Sequence, residues 1–237
     1  LTLQRPSIPR HRMRGGQLAV IAASKLAGAI VTLVILTTDV VEELQVKSLL
    51  FHMMPEHFLF ATAGFLLPSG LEDLARLVMS SRRQSLRHTT KVAYSAFLRY
   101  NAALNPAGVP GLLISALILT YWHIPEFFDA ATLDPDLHAQ MHIQYTVLGT
   151  LIFMSLKKIS KGKTAILGVA LGKVMGVGGV YLAVSQTPVY TAYPLSQNLE
   201  TGFVMLILMA VHDVAAVAYL VHSLMSSATR QAVRVAE

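Results

Sequence analysis

The chain has 237 residues, of which 54% are hydrophobic and only 14% charged; its mean hydropathy is +0.54 and its formal net charge +6. An ordinary soluble domain carries about 25% charged residues, so this composition excludes one, and the basic excess is read as attraction to anionic lipid headgroups with no nucleic-acid partner. Cysteine is absent, which excludes disulfides, iron–sulfur clusters and thiolate metal sites.

Residues 1–16 form a basic N-terminus with Arg5, Arg10, His11, Arg12 and Arg14. The apolar run behind it is long enough to stay in a membrane, so no cleavable signal sequence is read there. Apolar runs of about 18 residues or more predict spanning helices. Six occur, at about 17–38, 48–68, 106–123, 138–156, 164–184 and 201–224. The third is short, and a shallow element is expected within 92–105. The expected fold is therefore all-α: a polytopic transmembrane bundle of about six spans forming one domain, 1–237. The stretch 69–105 is its one long polar linker, read as a basic cytoplasmic loop, and 225–237 its cytoplasmic tail.

Charge sets the orientation. Arg76, Arg82, Arg83, Arg87, Lys91 and Arg99 follow the second run. Lys157, Lys158, Lys161 and Lys163 follow the fourth, and Arg230 and Arg234 lie in the tail. With the N-terminal arginines they fall on one side. The other side carries Asp39, Glu42, Glu43, Glu126, Asp129, Asp134, Asp136 and Glu200, with Lys47 as its basic residue. The positive-inside rule then predicts a multi-pass plasma-membrane protein with both termini cytoplasmic.

With that topology five histidines gather toward the outer face: His52 and His57 in the second run, His123 ending the third, and His138 and His142 opening the fourth. His52/His57 and His138/His142 each precede a glycine, Gly64 and Gly149, by seven residues. Ionisable residues within spans are costly and mark functional sites. A four-residue spacing puts His138 and His142 on one helix face. Five residues on an ideal helix splay His52 from His57 by about 140°, but Pro55 removes a backbone hydrogen bond between them. A π-type widening there brings positions i and i+5 together; a simple bend leaves His57 alone facing inward.

Glu56 is positioned to orient an imidazole through its free nitrogen or to turn toward the outer water layer. Met53, Met54 and Met141 add thioethers, which with imidazole suit copper, notably Cu(I), although methionine is also ordinary bundle filler. Trp122 reads as an interfacial anchor, and Glu126 and Asp129 beside His123 as an acidic approach. His11 and His88 read as solvated. His212 and Asp213 lie in mid-span, with Lys173 the expected partner of Asp213. Gly168, Gly172 and Gly176 make a close-packing helix face.

Together these residues resemble the multi-pass CtaG family of cytochrome c oxidase assembly proteins. The resemblance rests on the first histidine pair opening an apolar helix and on the block from Trp122-His123-x-Pro125-x-Phe127-Phe128-Asp129-Ala130 to His138-x-x-x-His142-x-x-Tyr145. Pro188-Val-Tyr190 adds to it. The motifs cover roughly 50–70 and 120–200. The family more often spaces its first pair by four, carries Glu where Met141 stands, and has seven spans.

Membership implies copper delivery to, or assembly of, a haem–copper oxidase. The metal residues would be His52, His57, His123, His138 and His142, with Glu56, Asp129, Met53 and Met141 around them. The implied cofactor is copper, the implied partner a haem–copper oxidase subunit or another respiratory membrane complex, and no enzymatic reaction is expected. Two alternatives stand beside this. One is a b-type haem subunit, with His57 and His142 as axial ligands and Gly64 and Gly149 making room for the macrocycle. The other is a structural or accessory subunit without metal.

Overall fold

The computed structural model describes residues 15–236 apart from Arg82; for Lys161, Ser223, Leu224 and 226–236 it describes the backbone alone. The N-terminal arginines and His11 therefore lie outside the described residues. Every regular element among those described is helical.

The helices are α1 (Gly15–Leu36), α2 (Asp39–Lys47), α3 (Leu49–Met79), α4 (Gln84–Leu104), α5 (Val109–His123), α6 (Pro125–Leu133), α7 (Pro135–Leu156), α8 (Lys161–Val184) and α9 (Leu195–Ala236). Helix α3 is the axis of the molecule, packing against α1 on one side and α7 on another. Helix α5 lies against α7, and α8 and α9 form a hairpin joined to the rest through the start of α3. Ala22, Ala29 and Leu36, seven residues apart, are the buried positions of α1; that period keeps one face of a helix turned to its neighbour.

Among the described residues four helices are long and apolar enough to cross a membrane: α1, α3, α8 from Gly162, and α9 as far as His222. The pair α4–α5 makes a fifth if it counts as one span, bent by 64°. Two of the six apolar runs thus behave differently from the others. The run at 106–123 contributes the short α5. The run at 138–156 becomes α7, whose His138, Gln140, His142, Gln144 and Tyr145 lower its hydropathy. The stretch 69–105, expected as a linker, is mostly helical. Helix α3 runs on to Met79, and the shallow element expected within 92–105 is the second half of α4.

The two prolines of α3 show how its backbone is satisfied. Pro55 lies in a five-residue π-helical turn, His52–Glu56, where its missing N–H breaks the ordinary ladder. Pro68 leaves the carbonyl of Gly64 without its helical donor, and the Thr150 hydroxyl of α7 donates to it instead, at 2.8 Å. Helices α3 and α7 are in backbone contact there. A Cβ on Gly64 would land on the carbonyl of Thr146, and one on Gly149 on that of Ala61. The glycine-rich face of α8 likewise packs on α9, with Gly172 against His212 and Asp213, Gly176 against Met209, and Gly179 against Gly202.

Opposite ends of the α3–α7 pair carry different chemistry. At the end with the basic residues, Glu72 takes hydrogen bonds from Arg76, Lys157 and Tyr94, and Asp73 takes one from Lys25 at 2.6 Å. The other end holds two apolar clusters. One contains Phe60, Trp122, Met141, Tyr145 and Leu148, the other Leu49, Met53, Phe128, Tyr190 and Tyr193.

Candidate metal centre

The π turn decides where the first histidine pair points. It brings the rings of His52 and His57 to 5.4 Å, edge to face, so the widened-turn reading of the five-residue spacing holds and the splayed one does not. Helix α7 starts opposite. Its Asp134 caps the first turn by accepting from the N–H groups of Asp136 and Leu137, which aligns His138 and His142 one above the other with ring centres 4.2 Å apart.

Glu56 sits where the two helices face each other, fully buried. One of its oxygens, Oε1, accepts from Nε2 of His142 and lies 3.4 Å from Nε2 of His138, poorly aligned for a hydrogen bond. The other, Oε2, lies 4.0 Å from Nε2 of His52 and has no hydrogen-bond partner. Ligand atoms of His52, Glu56 and His138 all fall within 4.8 Å of one another.

The protons on His52 follow from its neighbours. Tyr193 donates its hydroxyl hydrogen to the carbonyl of Gln45 at 2.7 Å. The hydroxyl must therefore accept from Nδ1 of His52, 2.8 Å away. Burial holds the Tyr193 phenol above its ordinary pKa, so this donor stays in place. With the proton on Nδ1, Nε2 of His52 presents a lone pair toward Glu56, and 4.0 Å is too long for the hydrogen bond that an imidazolium would make there. Buried polar groups are otherwise almost always paired. Nε2 of His52, Oε2 of Glu56 and Nε2 of His138 are buried, unpaired and convergent. A cation satisfies all three, and the mixed nitrogen and oxygen donors suit a transition metal.

The remaining sequence-predicted residues take distinct places. His57 is buried beside His52 and stacks on Tyr145, ring centres 4.1 Å apart. His123 lies 5.9 Å from His57, with its Nδ1 2.7 Å from the carbonyl of Leu119. His142 stacks on Phe60 and serves Glu56 as a hydrogen-bond donor. Glu56, read from sequence as an orienting group, stands at ligand distance. Asp129 is engaged elsewhere: it accepts from Thr191 N and Oγ1 and from Ala192 N, fixing the loop that carries Tyr193. Met53 and Met141 pack in the two apolar clusters. Trp122, expected as an interfacial anchor, is buried at 2% exposure and donates to Gln144, because α6 folds back over it. Glu126 is exposed. His88 and His222 are also exposed, and Lys173 pairs with Asp213 as expected.

Gly64 and Gly149 are filled by the facing backbone, which leaves no room for a macrocycle between α3 and α7 at that level. The space expected for a haem is helix contact. A cleft of about 670 Å³ does reach the centre from the side, between α1–α2 and α6–α7, with Glu42 and Val46 on one wall and His138 and His142 on the other.

Sequence reasoning missed Tyr193 and Asn198. Asn198 is fully buried, accepts from Tyr190 N and donates to the carbonyls of Tyr190, Tyr193 and Pro194. It holds the turn that delivers Tyr193 to His52. The one local signal was Pro188-Val-Tyr190 in an apolar context; nothing near Tyr193 points to a histidine 141 residues away.

No curated protein and no solved structure matches this chain. The family model described as cytochrome c oxidase caa3 assembly factor matches residues 8–227, nearly the full length, histidine helices and tyrosine loop included. The chain is a member of the cytochrome c oxidase caa3 assembly factor family.

Proposed function

We propose that this protein is a multi-pass membrane copper-binding protein that assists metallation or assembly of a haem–copper cytochrome oxidase. The observation that carries the copper reading is the trio of buried, unpaired ligand atoms on His52, Glu56 and His138. Imidazole donors suit copper among several metals; the assembly role of the family makes copper the reading preferred here. The histidine end faces the outside in this reading, as the positive-inside rule requires. His138 and His142 then border the side cleft, the route for an ion between the centre and an oxidase subunit. Delivery needs binding and release with no bond made or broken in a substrate, so the protein acts as a non-enzyme.

The test is metal analysis of the detergent-purified protein with an absorption spectrum on the same sample. Bound copper, at one ion per chain or more, without a Soret band is expected. His57→Ala and His142→Ala are each expected to lower it, and His88→Ala to leave it unchanged. Equal copper in all three variants rejects the site, and a Soret band with reducible α-bands replaces it with a haem. Neither signal after copper reconstitution favours an accessory subunit.

A further inference from the structure

His57 carries an unresolved demand. It is 4% exposed, and neither ring nitrogen has a hydrogen-bond partner. A buried polar group left so is destabilising, and this ring has two such atoms. Tyr145 covers its face, and His52, His123 and Phe128 surround its edge. The carboxylate of Glu56 lies against His52, His138 and His142. His123 is the remaining neighbour able to share a ligand with it.

His123 is prepared for that role. Its Nδ1 donates to the carbonyl of Leu119 one helical turn back, at 2.7 Å. The tautomer is thereby set, and the lone pair falls on Nε2. Holding a ligand histidine through its other nitrogen is the usual support of metal sites. The two rings stand 5.9 Å apart with their planes at 73°. A metal–nitrogen bond of about 2.0 Å to each of two rings puts their centres about 6 Å apart when the ion lies between them.

We propose that His57 and His123 form a second, carboxylate-free subsite for a monovalent copper ion, beside the His52–Glu56–His138 subsite; this rests on the copper reading of the centre. Two neutral imidazoles bring no charge to offset that of the ion. Burial costs rise steeply with charge, so this pair selects a monovalent ion, whereas Glu56 equips its neighbour for a divalent one as well. His52 and His57 touch at the boundary, so the subsites form one continuous two-ion centre.

The experiment uses the full chain in detergent, titrated anaerobically with Cu(I) against a chromophoric Cu(I) chelator, with bound copper counted per chain. The unaltered protein is expected to bind two ions. His123→Phe, which keeps a ring but no nitrogen, is expected to bind one. Glu56→Gln is expected to keep the ion between His57 and His123, seen by X-ray absorption as copper with two nitrogen neighbours. Two ions retained in His123→Phe, one ion in the unaltered chain, or three or more neighbours in Glu56→Gln overturns the second subsite and leaves the copper reading standing. No copper bound by the unaltered chain overturns both. If His123→Phe does not fold, the Glu56→Gln spectrum decides alone.

Discussion

Two buried glutamates on one helix, Glu56 and Glu72, have opposite surroundings. They are 16 residues apart, about 24 Å along α3. Glu72 is met by Arg76, Lys157 and Tyr94, so its charge is answered by two permanent cations and a phenol hydrogen bond. Glu56 is met by His52, His138 and His142, which are neutral unless they gain a proton, and one of its oxygens is unpaired. The first arrangement is complete and ties helices together. The second turns three donor atoms toward a common point, an arrangement that a cation could join. A buried carboxylate therefore says little by itself; the permanence of its partners separates a structural tie from a binding site.

The contrast can be broken most sharply at Glu56. Glu56→Gln is expected to lower affinity at the His52–His138 subsite by more than the roughly 10–100-fold that loss of an outer-shell partner costs, since it removes the anionic donor itself. The unfolding midpoint of the metal-free protein should hold or rise, because a poorly compensated buried charge is gone; a competitive metal titration with thermal unfolding in detergent reads both. Glu72→Ala should do the reverse. Removing one partner of a buried pair costs about 3–5 kcal/mol, and the exposure of Arg76 reduces this to about 2 kcal/mol. Its unfolding midpoint should fall while copper stoichiometry stays the same; a loss of copper there would mean that the two ends are coupled. Gly149→Ala is expected to cost about 1–3 kcal/mol by overpacking against Ala61. It should also weaken metal binding by separating Glu56 from His138. Tyr193→Phe should have the smallest effect, about 10-fold in metal affinity, as expected when a ligand histidine loses its supporting partner; an unchanged affinity would show that His52 needs no help in placing its proton.

Much of this was legible in the chain because the signals are local. The runs that became α1, α3, α8 and α9 are long and uniformly apolar, and the partnership of Lys173 with Asp213 follows from two charges at matching depth. Pro55 between His52 and His57 pointed to the widened turn. What escaped depends on distant residues. The extension of α3 through Glu72, Asp73 and Arg76 looks like a polar loop until Lys25 and Lys157 arrive to neutralise it. Helix α7 reads as an ordinary span, yet one face of it is given to candidate ligands and hydrogen bonds. Gly64 and Gly149 illustrate a limit of another kind: a glycine in a membrane helix announces space for something close, and here that is the neighbouring backbone.

The π turn has a consequence for how spacing along this helix is read. A turn closed by i→i+5 hydrogen bonds takes up one more residue than an α turn. Five positions on it do the work of four on an α-helix, and His52 and His57 meet as a four-spaced pair would. The extra residue amounts to an insertion that the helix has swallowed as a bulge instead of passing on as a rotation of everything before it. Judged by residue count, the two histidines belong to different faces of the helix; judged by where the rings lie, they share one.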